Sequence, residues 1–526
     1  MGRSRPASDS TGREGEGMLS VAAKRRPMWP WRELVAWGVD WRMRGRFALY
    51  VVAVGLLGLA GVNGLLLLYA AILNEHVWGF GVTSLLALLA GLPLFRFGLA
   101  KGEPTRREAM VGVLLLWLIV PLVGALPFAV TGGFTAFDAI FESMSGFTTT
   151  GATVLVDFDD FPQSLFIWRA LTQWIGGIGI IVLFIAVFPH LASAGRQLFY
   201  AEVPGPIEDR LSPRLRNTAS AVLLVYLILT ALSGIAYYVA GMTAYESVAH
   251  AFTTIASGGF SPNGLSFEGY APAVNWVAIV FMVFAGANFA LQYQAFMGRP
   301  SLLLRDPEFR AYLAIVLVAA VVLVISLWGT YEFADALRHG LFQSLSVVTT
   351  TGYASADFAE WPVQGQAILV TLMLVGGSAG SAAGGIKVVR WLIVAKLTKA
   401  ELKKALHPRA VIAVRVGSRL ITDTVIRAVG AFITVYVTLF VLTTLVVAWL
   451  EQDFASAFTA SIACIGNIGP GLAAVGPMLN YSELHPLSKV LLTFGMYAGR
   501  LEIVTVFVIF DRDFWYLPRH GRVGPH

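Results

Sequence analysis

The sequence predicts an all-α polytopic membrane protein: an N-terminal helical hairpin, then four pseudo-symmetric repeats of helix, half-spanning loop and helix around one central pore. Three observations carry this. The 526 residues are 56% hydrophobic and only 13% charged, against roughly 25% charged in a globular domain. Apolar runs of about 20 residues, the length that crosses a hydrocarbon core of roughly 30 Å, recur from Phe47 to Phe510. A glycine-centred ten-residue pattern also returns four times along the chain, the mark of an internal repeat.

The elements follow in order. Residues 1–45 are polar, then basic with interleaved Trp29, Trp31, Trp37 and Trp41. They lack the short charged start and small-residue cleavage site of a signal peptide, and are expected to lie in the cytoplasm and along membrane lipid from about Trp29. An extra hairpin occupies 46–99. The repeats are placed at 108–189, 217–297, 309–400 and 420–514, with a cytoplasmic tail at 515–526. Within these boundaries ten spans are expected, at 46–73, 78–97, 108–131, 164–189, 217–241, 272–297, 309–330, 364–395, 420–450 and 487–511.

The formal charge of +6 raises nucleic acid as a partner, but the placement of charge argues for a membrane instead. Lys and Arg crowd into Arg3–Arg46, Arg96–Arg107, Arg196–Arg216, Arg299–Arg310, Lys387–Arg419 and the end from Arg512. The alternate segments 132–163, 242–275 and 451–486 hold neither, and 331–365 holds only Arg338. By the positive-inside rule the first set is cytoplasmic, as are both termini, and the second set faces out. The single cysteine, Cys464, excludes an internal disulfide and a cysteine-based metal cluster, and reads as a small buried apolar residue.

Each outward segment starts with about 12 helix-like residues, too few to span, and then turns Gly/Thr-rich. Non-helical backbone at membrane depth is tolerated only where it lines a water-filled cavity or is buried in protein. The four segments align without gaps as Ser143–Ala152, Ala251–Phe260, Ser344–Tyr353 and Ser461–Pro470, with Gly151, Gly259, Gly352 and Gly469 in register. A second glycine keeps step in each following helix, at Gly177, Gly286, Gly377 and Gly499. The short helices carry start signals at equivalent places, Thr135-x-x-Asp138 and Thr243-x-x-Glu246, both capping boxes. Their carboxyl ends, with partial negative charge, point at the pore centre and favour a cation.

A permeating cation must exchange its water shell for protein oxygens, and rings of backbone carbonyls do this. Turning carbonyls toward one axis needs angles that glycine reaches without steric cost. The candidate filter is therefore Thr149, Thr150 and Gly151; Ser257, Gly258 and Gly259; Thr350, Thr351 and Gly352; and Asn467, Ile468 and Gly469. Thr349-Thr-Thr-Gly-Tyr353 resembles the Thr-Val-Gly-Tyr-Gly filter of potassium channels with one essential glycine, and the threonine hydroxyls add oxygens or brace the loop.

With Trp168-Arg-Ala-Leu-Thr-Gln-Trp-Ile-Gly-Gly-Ile-Gly179, Gly376-Gly-Ser-Ala-Gly-Ser-Ala-Ala-Gly-Gly-Ile-Lys387 and Gly499-Arg-Leu-Glu502, the chain resembles the Trk/Ktr/HKT potassium transporters over about 46–514, in particular the membrane subunit of the bacterial Trk system. The resemblance implies potassium as the permeant ion and uptake across the bacterial inner membrane. It further implies a homodimer, and regulation by a cytosolic nucleotide-binding ring of the TrkA type. It also points to a gate. Gly376, Gly377, Ser378, Ala379, Gly380, Ser381, Gly384 and Gly385 sit inside a span, where each glycine costs about 1 kcal/mol of helix stability relative to alanine. The span is expected to break there into a mobile loop below the filter, close helix packing being the other reading. Arg500 follows an aligned glycine in mid-span and is expected to oppose cations near the axis, unless it forms an ion pair with Glu502 or another acid. Arg169 lies nearer the outer end of its helix and is expected to snorkel or pair with an outer acid.

The fourth filter, Gly466-Asn-Ile-Gly-Pro470, departs from Thr-Thr-Gly, so the pore is expected to be asymmetric and to leak rubidium or sodium. Gly151, where sodium-selective plant relatives carry serine, leans toward potassium. His250 and His339 on the short helices allow a proton-coupling role, since histidine titrates near neutrality. A secondary solute transporter would show two repeats and mid-membrane acids. A membrane enzyme would need a nucleophile or metal cluster, and no phosphate loop, His-Glu-x-x-His or Gly-x-Ser-x-Gly is present.

Overall fold

The computed structural model describes residues 46–98, 106–186 and 211–515. The expectations for the tail at 1–45, for most of the basic segment 196–216 and for the C-terminal residues from 516 lie outside the described residues. Helices α1 (Arg46–Ile72) and α2 (Trp78–Gly98) form the leading hairpin and pack closely along their length. Repeat 1 follows with α3 (Arg106–Gly124), which carries Pro121 within it and is continued by the turn Leu126–Val130, then the short helix α4 (Ala136–Phe147) and α5 (Gln163–Ala186). Repeat 2 is α6 (Leu211–Val239), short helix α7 (Ala244–Ile255), α8 (Pro272–Ala285) and α9 (Phe289–Phe296). Repeat 3 is α10 (Pro307–Ser326), short helix α11 (Phe333–Val348), α12 (Val363–Leu372) and α13 (Val388–Leu406). Repeat 4 is α14 (Asp423–Glu451), short helix α15 (Phe454–Gly466), α16 (Pro486–Arg500) and α17 (Ile503–Val508). A two-stranded hairpin, Arg415–Val416 with Arg419–Leu420, precedes α14.

The burial pattern is that of a chain solvated by lipid. Leu65, Leu68, Leu89, Ile235, Val318, Val321, Leu442 and Leu445 are exposed on the long helices, whereas the short helices are buried over their C-terminal halves. Exposed apolar surface of that extent marks contact with an apolar medium. Six helices among the described residues are long and apolar enough to cross a membrane unbroken.

Three of the ten expected spans are not single helices. The second span of repeat 2 bends by 103° at residues 286–288. Asn288 starts the new helix, its Oδ1 accepting from Ala290 N (2.9 Å) and Leu291 N (3.0 Å), a side chain that favours a cap over a helix interior. Repeat 3 breaks over 373–387, where glycine made a break legible, and repeat 4 at Leu501–Glu502, where Glu502 is left-handed (φ 61°).

Of the two start signals, Thr243 and Glu246 form the complete reciprocal box. Thr135 Oγ1 accepts from Asp138 N (3.3 Å), but the Asp138 carboxylate pairs with Lys489 Nζ of repeat 4 (2.6 Å) instead of turning back to the cap backbone. Cys464 is fully buried, as read.

Candidate cation pathway

The four glycine segments share one backbone signature. Taking the aligned glycine as zero, that residue and the one two before it are both left-handed: Thr149 (φ 52°) and Gly151 (85°), Ser257 (54°) and Gly259 (81°), Thr350 (54°) and Gly352 (78°), Asn467 (54°) and Gly469 (103°). Left-handed geometry costs a non-glycine residue roughly 1–2 kcal/mol, so four such residues at one aligned position mark strain that serves a purpose. Alternating left-handed and ordinary residues keeps successive carbonyls on one side of the chain, as a carbonyl ring requires.

The segments close into a ring. A Cβ added to Gly151 would strike the carbonyl oxygen of Gly258, one on Gly259 that of Thr351, one on Gly352 that of Ile468, and one on Gly469 that of Thr150. Each glycine thus abuts the carbonyl just before the next repeat's glycine, and the fourth returns to the first. All four glycines line one recess of about 60 Å³, with Arg169 and Tyr481 on its wall.

Side-chain oxygens add a second level. Thr149 Oγ1, Ser257 Oγ and Asn467 Oδ1 are buried without a hydrogen-bond partner among the described residues. The fourth oxygen at that position, Thr350 Oγ1, accepts from Gly384 N (2.6 Å). An unpaired buried polar group costs about 1–3 kcal/mol. Three at one aligned position fit a cation that supplies the missing partner. Thr150 and Thr351 brace instead: their hydroxyls lie 2.8 Å from those of Thr148 and Thr349.

Directly below hangs the loop over 376–385, non-helical as the glycines imply, with Gly380 (φ 73°) and Gly385 (φ 66°) left-handed. Its backbone is tied to the broken helix of repeat 2 by Ser378 N to Gly286 O (2.9 Å), Ala382 N to Ala285 O (3.3 Å) and Phe289 N to Gly380 O (3.1 Å). Asn288 Nδ2 donates to Ala379 O (2.8 Å), and Glu308 Oε1 accepts from Ala379 N (2.8 Å) and Val389 N (3.0 Å). Ser381 Oγ donates to Ser378 O (2.6 Å), and Gly376 N to Ile386 O (2.9 Å). Gly377 packs against Ala383, and Gly384 faces Asn467 of the ring. Lys387 Nζ donates to Ala383 O.

Arg500 is buried and donates through Nη1 to Ala382 O (2.9 Å). Its Nε and Nη2 have no partner among the described residues. The ion pair considered for it goes elsewhere, because Glu502 binds Arg390 (2.6 Å).

Arg169 does not snorkel. It pairs with Glu142 on α4 (2.7 Å), both fully buried. His250 bridges Glu246 O (2.9 Å) and Ser261 Oγ (3.1 Å), and His339 reaches Ser355 Oγ (2.9 Å), so both tether the residues just past the glycines. The sequence reading assigned no role to Glu142, Gln173, Asn288 or Glu308. A buried acid in a short apolar helix and an asparagine in mid-span were the available signals for the first and third.

The family model described as TrkH, cation transport protein, matches residues 83–515. The chain is 38% identical over 424 residues to the Trk system potassium uptake protein TrkH of Salmonella typhimurium, covering 79% of this chain and 87% of that protein. It is 35% identical over 419 residues to TrkG of Escherichia coli, covering 78% and 85%. The crystal structure of the potassium transporter TrkH from Vibrio parahaemolyticus superposes with a TM-score of 0.81 at 34% identity, covering 89% of this chain and all of that one.

Proposed function

Because the chain belongs to the TrkH family of cation transport proteins, a family of transporters and not of enzymes, we propose that it takes up potassium across the bacterial inner membrane through the ring centred on Gly151, Gly259, Gly352 and Gly469. The observation that carries this reading is the closed ring with its repeated left-handed pair, above three orphaned buried oxygens. Carbonyls at positions 149–151, 257–259, 350–352 and 467–469 replace the water shell of the ion. The loop over 376–385 and Arg500 form the gate: the loop occupies the space under Thr350 and Asn467, and a buried guanidinium repels an ion that has shed its water. The chain works as a homodimer with both termini in the cytoplasm, and a TrkA-like nucleotide-binding ring shifts the loop.

Expression in cells that lack potassium uptake tests the proposal, together with flux into proteoliposomes with and without a membrane potential and a proton gradient. Growth is restored at low potassium, and potassium enters the vesicles down an imposed potential. No rescue with the protein in the membrane and its regulator present, together with vesicles that stay impermeable to potassium, would overturn it. Dependence of flux on the proton gradient separates coupled transport from a passive channel.

A further inference from the structure

The second ring segment keeps its backbone bonds to the short helix, Ser257 N to Thr254 O (3.1 Å) and Gly258 N to Thr253 O (2.9 Å), but lacks the side-chain brace of repeats 1 and 3. In repeats 1 and 3 the residues three and one before the glycine are threonines, and their hydroxyls meet at 2.8 Å. The first of each pair also donates to its own short helix, Thr148 to Met144 O (2.6 Å) and Thr349 to Leu345 O (2.7 Å). In repeat 2 the same places hold Ala256 and Gly258, which offer no hydroxyl, and consecutive Gly258 and Gly259 have the widest backbone freedom of the ring.

The support comes from the neighbouring repeat. Gln173 of α5, fully buried, donates through Nε2 to Gly258 O (2.7 Å) and accepts at Oε1 from Phe260 N (3.1 Å). One amide thereby clamps the backbone on both sides of Gly259, and with each end satisfied its orientation is fixed. The residues are matched in shape: a Cβ on Gly258 would collide with Cδ and Oε1 of Gln173. One turn earlier on α5, Arg169 donates to Ser261 O (3.1 Å) and lies over the Phe260 ring (4.1 Å), extending the same hold past the glycine.

The helix register shows this to be particular to repeat 1. Four residues before each aligned helix glycine (177−4, 286−4, 377−4 and 499−4) stand Gln173, Met282, Met373 and Gly495. Met282 and Met373 join an apolar core with Val348 and Ile468. Repeat 4, with Gly466 and Ile468, also lacks the Thr–Thr brace, but its segment is tied through Asn467 Nδ2 to Thr150 Oγ1 (2.9 Å) and Met496 O (3.0 Å), whereas the second segment takes its polar side chain from Gln173.

From this we infer that Gln173 is a specificity-determining positioning residue: it sets the carbonyls of the second filter segment from outside its own repeat and so tunes potassium against sodium. The inference rests on the reading of the ring as a potassium filter. Without the amide, the two-glycine backbone relaxes toward a smaller ion.

The test uses Gln173→Met in the purified full chain, since methionine already occupies the equivalent place in repeats 2 and 3. Potassium and sodium fluxes into proteoliposomes and the rise in melting temperature from sodium to potassium chloride are measured at equal protein. The potassium-to-sodium flux ratio falls by about tenfold, the worth of one buried hydrogen bond, while maximal potassium flux changes much less. The gap between the melting temperatures in the two salts narrows. Adding Ala256→Thr and Gly258→Thr to Gln173→Met transplants the brace of repeat 3 and restores the ratio. If Gln173→Met does not give a folded protein, Gln173→Glu, which keeps the acceptor for Phe260 N and loses the donor to Gly258 O, must lower the ratio. A wild-type chain without potassium flux would refute the filter reading itself; a potassium-selective wild type with an unchanged ratio in the variant overturns the role of Gln173 alone.

Discussion

Two buried arginines are treated in opposite ways, and the difference fixes what their removal does. Glu142 accepts from Arg169 Nε (2.7 Å), Thr153 Oγ1 (3.0 Å) and Val154 N (2.9 Å), so the carboxylate is neutralised and fully hydrogen-bonded. Breaking a buried pair on one side leaves an uncompensated charge and costs about 3–5 kcal/mol. Glu142→Ala is therefore expected to lower the melting temperature sharply, and the double change Glu142→Leu/Arg169→Leu to recover much of that loss. A melting curve for Glu142→Ala that overlays the wild type would refute the network. Among the described residues Arg500 meets no carboxylate and donates to Ala382 O, and Glu502 stays paired with Arg390, whose guanidinium sits 3.8 Å from the centre of the Phe432 ring. Removing Arg500 orphans no acid, so Arg500→Ala should fold. It should raise potassium flux by about tenfold or more, since each 1.4 kcal/mol taken from a barrier is tenfold in rate. Unchanged flux returns Arg500 to a structural role.

At the scale of the element, the loop over 376–385 is held by partners that lie far apart in the chain. Five glycines in ten residues made the break in repeat 3 legible, because helix propensity is local. The break in repeat 2 was far less legible, since one asparagine in mid-span is a weak signal until Asn288 is seen capping α9 and gripping Ala379 O at once. Glu308 likewise has its meaning only in three dimensions, joining Ala379 N before the loop's midpoint to Val389 N at the start of α13. Glu308→Ala releases both ends and is expected to raise basal flux, with Glu308→Gln, which keeps an acceptor, closer to wild type. Deleting part of 376–385 should raise flux beyond Arg500→Ala, because it removes the obstruction and not only its charge. Proteoliposome flux at matched protein amounts orders these variants, and a loop deletion no leakier than wild type would show that the loop does not block the path.

For the whole molecule, the fourfold plan was readable from one-dimensional spacing because each repeat carries its own glycine in step. The links between repeats were not readable, because their partners are remote: Gln173 and Gly258 are 85 residues apart, Lys489 and Asp138 351. The same juxtaposition of repeats sets the charge at the proposed outer mouth. Glu268 follows the second filter, and Asp357 and Glu360 follow the third. Partial burial first, then the negative charge of Asp357 and Glu360, raises the pKa of Glu268 above the ordinary carboxylate value. A raised pKa means that, as external pH falls, Glu268 takes up its proton before an isolated carboxyl would, and the mouth loses that negative charge. Fewer negative charges attract fewer cations, so KM for potassium rises on acidification. Exposed charges interact by about 0.2–1 kcal/mol, which limits the change to about twofold to fivefold. Glu268→Gln should show the raised KM already at neutral pH and a flatter pH profile. High salt should erase the difference, since the Debye length shrinks to about 3 Å at 1 M. Initial uptake rates against potassium concentration, with external pH varied at constant ionic strength, check this. A KM independent of pH, or a variant whose profile matches the wild type, would exclude Glu268 from the attraction of cations to the mouth.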